Sequence, residues 1–136
     1  MKIKNWITTE VITVSPETSV KEAFGLMKSL GIRHLPVINK QGALKGIVTD
    51  RDLRRPKISD VFKSWHDLYR INDEIQVEDV MVGPVITANQ DDTIQEAAKL
   101  MVENRIGALP VTDIQKKLVG IITESDVLRA FVAGKN

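Results

Sequence analysis

The chain is written twice. Val11-Ile-Thr13 recurs as Val85-Ile-Thr87, 74 residues further on. Held without a gap over residues 11–55 and 85–129, that offset gives 18 identities in 45 positions, where unrelated sequences of ordinary composition share about three. The identities include Glu22/Glu96, Ala23/Ala97, Leu26/Leu100, Met27/Met101, Leu35-Pro-Val37/Leu109-Pro-Val111, Gly46-Ile47/Gly120-Ile121, Thr49/Thr123 and Asp52/Asp126. Within 136 residues, the length of one domain, the fold must therefore be one small unit built twice.

Each copy reads as strand, helix, strand, strand, helix. The opening strands end in Val11-Ile-Thr13 and Val85-Ile-Thr87. The first helix opens on Ser19-x-x-Glu22 or Thr93-x-x-Glu96, a capping-box spacing. Val20, Ala23, Phe24 and Met27, matched by Ile94, Ala97, Ala98 and Met101, fall on one helical face. Gly31 is placed to end that helix in the left-handed conformation. Strands follow at 35–38 and 45–49 around the turn Asn39-Lys-Gln-Gly42, and at 109–112 and 118–123. A closing helix starts after Thr49 and Thr123; Pro56 cuts the first short, and the second runs through Val127, Leu128, Phe131 and Val132 to Gly134.

These signals divide the chain into repeat one (1–56), a connector (57–79) and repeat two (80–136). In the connector Val61, Phe62, Trp65, Leu68 and Tyr69 lie at helical spacing, which predicts an amphipathic helix. It either covers an edge of the core or offers its aromatics to a protein partner. Trp6, set against Met81 of the second copy, reads as a packing residue over the first strand.

Composition narrows the functions. A formal net charge of +1 gives no global field for nucleic acid or an anionic membrane. The absence of cysteine excludes disulfides, thiolate metal sites and a cysteine nucleophile. His34 and His66 make no metal-ligand pattern, so no metal is expected. No signal-peptide stretch and no apolar run of spanning length is present, so a cytoplasmic protein without membrane contact is expected. Asp50/Asp52 and Asp91/Asp92 could serve acid–base chemistry, but no Walker loop, metal cluster or serine–histidine–carboxylate order joins them. An enzyme is not expected. The basic cluster Arg51, Arg54, Arg55 and Lys57 lacks the interleaved aromatics of a nucleic-acid surface.

Together, a strand ending in hydrophobic-Ile-Thr, a helix, a hydrophobic-Pro-Val strand and Gly-h-h-Thr-x-x-Asp resemble a cystathionine-β-synthase-type (CBS) motif. Two of them resemble a Bateman module covering nearly the whole chain. Gly31-Ile-Arg-His-Leu-Pro-Val37 with Gly46-Ile-Val-Thr-Asp-Arg-Asp52 is most similar to the CBS part of AcuB-type acetoin-utilisation proteins. Those proteins carry a further C-terminal regulatory domain. This chain, ending at Asn136, is expected to lack one, so its regulated partner is expected to be a separate chain.

The resemblance implies an α/β (α+β) fold of two βαββα repeats packed about a pseudo-twofold axis, with two equivalent clefts between the repeats. It implies a regulatory module that binds AMP, ADP, ATP or S-adenosylmethionine, associates as a homodimer and modulates another protein. The alternative is a ligand-free dimerisation or scaffold module, or, less favoured, a nucleic-acid-binding one.

Asp52 and Asp126 suit a ribose diol, because a carboxylate can accept both hydroxyl hydrogens. Thr49 and Thr123 stand at the start of the closing helix, whose N-terminus favours phosphate. The same Thr-x-x-Asp is also a variant capping box; the residues leave both readings open, and the resemblance favours ribose. Arg33, His34 and Arg51 suit a phosphate grip. In the second copy Gly107-Ala108 and Ser125 replace them, leaving only Arg105, so the two sites should tolerate phosphate charge differently. The resemblance assigns backbone groups at Ile12, Thr13, Ile86 and Thr87 to the adenine edge, with apolar walls from the loops at Pro36 and Pro110 and from Ile47 and Ile121. It also sets Thr49/Asp52 against Ile86/Thr87, and Thr123/Asp126 against Ile12/Thr13. Every one of these aliphatic residues reads equally well as plain core.

Overall fold

The capping signals fix the helices. In the computed structural model, which describes residues 1–52, 75–83 and 85–134, helix α1 spans Val20–Leu30, and the Ser19 hydroxyl accepts the Glu22 N–H at 3.0 Å. Helix α2 spans Ile94–Asn104, and here the box closes both ways: Glu96 N–H donates to Thr93 Oγ1, and Thr93 N–H donates to Glu96 Oε1 at 2.9 Å. The Thr93 backbone N–H first, and then its hydroxyl, hydrogen-bond the Glu96 carboxylate and hold it below the usual carboxylate range. Helix α3 spans Glu124–Ala133 and stops at Gly134 in the left-handed conformation.

Each copy carries an antiparallel hairpin after its first helix. β1 (His34–Ile38) pairs with β2 (Leu44–Thr49), and β4 (Ala108–Thr112) pairs with β5 (Leu118–Thr123), in the same register. A two-residue strand, β3 (Ala88–Asn89), adds to β4 in parallel, giving a three-stranded sheet. The first copy reduces the equivalent pairing to one bridge, Val14 to Val37.

The opening strands expected through Val11-Ile-Thr13 and Val85-Ile-Thr87 therefore begin only after those residues. Proline is the reason. In the parallel ladder Val14 N–H donates to Pro36 O at 3.1 Å and Ile38 N–H to Val14 O at 3.0 Å. The next link upstream would run from the Pro36 nitrogen to the Ile12 carbonyl, and proline has no N–H to give. Pro110 stops the β3–β4 ladder before Ile86 in the same way.

The chain forms two compact units, Ile12–Val85 on one side and Met1–Val11 with Ile86–Asn136 on the other. Each copy is thus joined by the segment that precedes the other. In one unit Ile3 is fully buried with Ala88, Ile94, Ala97, Met101, Leu109, Val111, Ile122 and Ala130. In the other, Val77 is fully buried with Val14, Val20, Ala23, Met27, Leu35, Val37 and Val48. At the offset of 74, all the first-copy core residues have their counterpart in the second, and Ile3 is the counterpart of Val77. Short 3-10 turns, Ile3–Asn5 and Val77–Asp79, carry these two side chains inward. The leaders then cross the sheets, Thr8 bridging Ile121 and Val82 bridging Ile47.

This crossing explains the glycine of Gly-h-h-Thr. A Cβ on Gly120 would stand 2.8 Å from the Thr8 carbonyl oxygen, and one on Gly46 would stand 3.1 Å from that of Val82. Trp6 is placed differently from expectation. It closes the first 3-10 turn as Val80 closes the second, and it packs on the second-copy core because its leader belongs to that unit. Ile7, not Trp6, is the counterpart of Met81; the two approach Gly120 and Gly46 respectively. The first closing helix beyond Asp52, and most of the connector with Trp65 and Tyr69, lie outside the described residues.

Candidate functional site

Both hairpins end at the same place, and that end gathers the candidate residues. Asp50 N–H donates to Arg33 O at 3.1 Å, and Glu124 N–H donates to Gly107 O at 3.0 Å. These bonds set the residues before the first hairpin strand beside the turn that follows Thr49 or Thr123. In the first copy Arg33, His34, Thr49, Arg51 and Asp52 come together, with His34 opposite Thr49 across the hairpin. Arg33 and Arg51 are exposed.

At the second sheet end Thr123, Glu124, Ser125 and Asp126 meet Gly107 and Ala108, with Ala108 opposite Thr123. Arg105 stands two residues before Gly107, exposed, as the left-handed C-cap of α2. Pro36 and Pro110 lie within β1 and β4, not in loops, and their rings are fully buried. What they give the site is the missing N–H. Among the described residues, Ile12, Thr13, Ile86 and Thr87 make no hydrogen bonds, and Ile12 and Ile86 are exposed.

The capping reading of Thr-x-x-Asp is met in both copies. Thr49 N–H donates to Asp52 Oδ2 at 2.9 Å and Asp52 N–H to Thr49 Oγ1 at 3.0 Å. Thr123 N–H donates to Asp126 Oδ2 at 2.8 Å, and its hydroxyl donates to the same oxygen at 3.1 Å. A third partner, missed in the sequence, is Arg129, whose guanidinium donates to Asp126 Oδ1. The signal was the i, i+3 spacing of Asp126 and Arg129, repeated in Asp52 and Arg55. Burial separates these two caps from the rest. Asp52 and Asp126 are 4% and 3% exposed, whereas the capping Glu96 lies on the surface. Among the described residues no other charged side chain is buried.

Among the described residues no helix is long and apolar enough to cross a membrane, and no three His, Cys, Asp or Glu side chains are placed to hold a metal ion.

A family model for the CBS domain matches residues 3–57 and 77–133. The chain belongs to the CBS domain family. The CBS domain-containing protein YhcV of Bacillus subtilis is 33% identical over 92% of this chain and 81% of its own length. Inosine-5'-monophosphate dehydrogenase of Methanocaldococcus jannaschii is 38% identical over 88% of this chain, which spans only 21% of that enzyme.

Among solved structures, the CBS domain pair of MJ0100, in complex with 5'-methylthioadenosine and S-adenosyl-L-methionine, matches with a TM-score of 0.81 at 27% identity, over 96% of this chain and 99% of its own. CBSX2 of Arabidopsis thaliana, in complex with AMP, matches with a TM-score of 0.81 at 29% identity, over 99% of this chain and 98% of its own. A Vibrio cholerae protein named for acetoin utilization (AcuB) matches with a TM-score of 0.77 at 28% identity, over 98% of this chain and 91% of its own. The mixed α/β architecture is that of these CBS pairs, whose ligands include AMP, S-adenosylmethionine and 5'-methylthioadenosine.

Proposed function

We propose that this chain is a regulatory CBS pair of the cytoplasm that binds an adenine nucleotide (AMP, ADP, ATP or S-adenosylmethionine) and modulates a separate protein without catalysing a reaction. The observation that carries this reading is the burial of Asp52 and Asp126. A cap needs no burial, as Glu96 illustrates, and taking a carboxylate out of water is costly unless its partners use the charge. The protein already supplies partners, the Thr49 N–H to Asp52 and Thr123 with Arg129 to Asp126, and a ribose diol would share the two carboxylates with them. Arg129 now occupies Oδ1 of Asp126 and would yield or share that oxygen. Thr49 and Thr123 stand beside the diol position, the peptide groups of Ile12-Thr13 and Ile86-Thr87 are left for the adenine edge, and Arg33 and Arg51 supply cations for phosphate in the first copy, with His34 as a hydrogen-bonding neighbour that adds charge in acid. The relatives with AMP, S-adenosylmethionine and 5'-methylthioadenosine bound supply the ligand class.

Asp52→Asn and Asp126→Asn keep an acceptor for the capping N–H and remove the charge. Each should weaken AMP or S-adenosylmethionine by calorimetry about tenfold to a hundredfold, the loss of one charged hydrogen-bond pair, with little change in melting temperature. Unchanged affinity in both variants overturns ribose recognition by aspartate.

The module acts as a homodimer in this reading. Leu128, Phe131 and Val132 of α3 are 61%, 77% and 81% exposed, an apolar strip that suits a twofold contact. Light scattering should give twice the chain mass, and Phe131→Glu, at a position the fold leaves exposed, should return the monomer. A monomeric parent chain, with and without nucleotide, overturns the dimer.

A further inference from the structure

The two sheet ends share their backbone and differ in charge. Glu124 N–H meets Gly107 O as Asp50 N–H meets Arg33 O, so Gly107 holds the place of Arg33. The space beside Gly107 is filled by the Glu124 side chain: a Cβ there would run into its carboxylate, with Glu124 Cδ at 3.3 Å and Cγ at 3.7 Å. Glu124 stands at the position of Asp50, so both ends carry a carboxylate there, but the second lacks the guanidinium of Arg33 and its carboxylate takes the space beside Gly107 instead. Ser125 replaces Arg51, and the first turn of α3 holds both Glu124 and Asp126. Of the cations nearby, Arg129 is committed to Asp126, and Arg105 caps α2 two residues before Gly107.

We propose that Glu124 is a specificity-determining residue that turns the second sheet end against phosphate and toward adenosine compounds whose 5' substituent is neutral or cationic. This rests on the nucleotide-binding reading above. A helix N-terminus ordinarily welcomes an anion; both ends carry two carboxylates, Asp50 with Asp52 and Glu124 with Asp126, but the second lacks Arg33 and Arg51, so a phosphate there would meet the like charge of Glu124 with neither guanidinium to offset it. A sulfonium or amine placed there is attracted instead. Glu124 is exposed, so the effect is solvent-screened and modest, three- to tenfold, and shrinks as salt rises.

The test is an amide NMR titration of the whole chain with AMP and, separately, with S-adenosylmethionine, following Thr49 and Thr123 as reporters of the two copies. AMP should shift Thr49 at lower concentration than Thr123, and S-adenosylmethionine the reverse. Glu124→Gln should tighten AMP and loosen S-adenosylmethionine at Thr123, each three- to tenfold, leaving Thr49 unchanged. Ser125→Arg, which leaves Glu124 in place, should also tighten AMP at Thr123. Ligand preferences at Thr123 that stay the same in both variants overturn the role of Glu124 alone. No shift by either compound anywhere overturns the nucleotide-binding reading and this inference with it.

Discussion

Where the first copy turns on Gly31 and Gly42, at φ 65° and 82°, the second turns on Arg105 and Lys116, at φ 55° and 65°. The hydrogen bonds around them match. Gly31 and Arg105 each send their N–H back to a methionine carbonyl one turn earlier, Met27 or Met101. In the hairpins Asn39 Oδ1 accepts from Gln41 and Ala43, and Asp113 Oδ1 accepts from Gln115 and Lys117. The shared frame of caps and Asx turns thus dictates the left-handed residue, and glycine only makes it cheaper. A side chain in that region costs about 1–2 kcal/mol. The second copy offsets this elsewhere: its capping box at Thr93 and Glu96 closes both ways where Ser19 forms one half, and its sheet gains β3.

The largest effect that can break the comparison lies in the exchanged leaders. Ile3→Ala should destabilise by about 2–5 kcal/mol, the range for emptying a buried isoleucine site. Native-state hydrogen exchange should show the loss at Leu109 and Ile122 before Leu35 and Val48. Val77→Ala removes less, about 2 kcal/mol, and should reverse that order. Equal loss of protection in both copies from either change would refute the assignment of leaders to units.

That exchange was also the least legible part of the sequence. Helices α1, α2 and α3 and both hairpins follow from spacing, caps and turn residues that the duplication shows twice. The leaders share no identity at the offset of 74, because one buried aliphatic in a short 3-10 turn leaves little trace. Ile3 and Val77 are also chemically interchangeable, so nothing local tells either which core to enter. The candidate site was readable as a set, since Thr-x-x-Asp recurs. Its local wiring was not: the carboxylate of Glu124 over Gly107 and the reach of Arg129 to Asp126 depend on side-chain placement. The sequence marks the prolines as walls, whereas their effect runs through an absent N–H that ends a ladder.

A smaller effect sharpens the same comparison. Arg105→Gly and Lys116→Gly should each stabilise the second copy, by at most about 1 kcal/mol after the entropy that glycine returns to the unfolded chain. Gly31→Ala and Gly42→Ala should destabilise the first by a similar amount. Urea denaturation with a constant m-value reads all four; a loss of stability in both glycine variants would mean that Arg105 and Lys116 make contacts outweighing their strain.

The buried Ile3 sets an order on how the molecule can be born. Leu109 and Ile122, the core it completes, leave the ribosome more than a hundred residues after it. The Ile12–Val85 unit is contiguous and is complete once Val85 is out, whereas its sister must hold residues 1–11 in waiting until the segment after Val85 has followed. Such long sequence separation slows closure, and an unclaimed apolar segment is open in the interval to capture by another nascent chain.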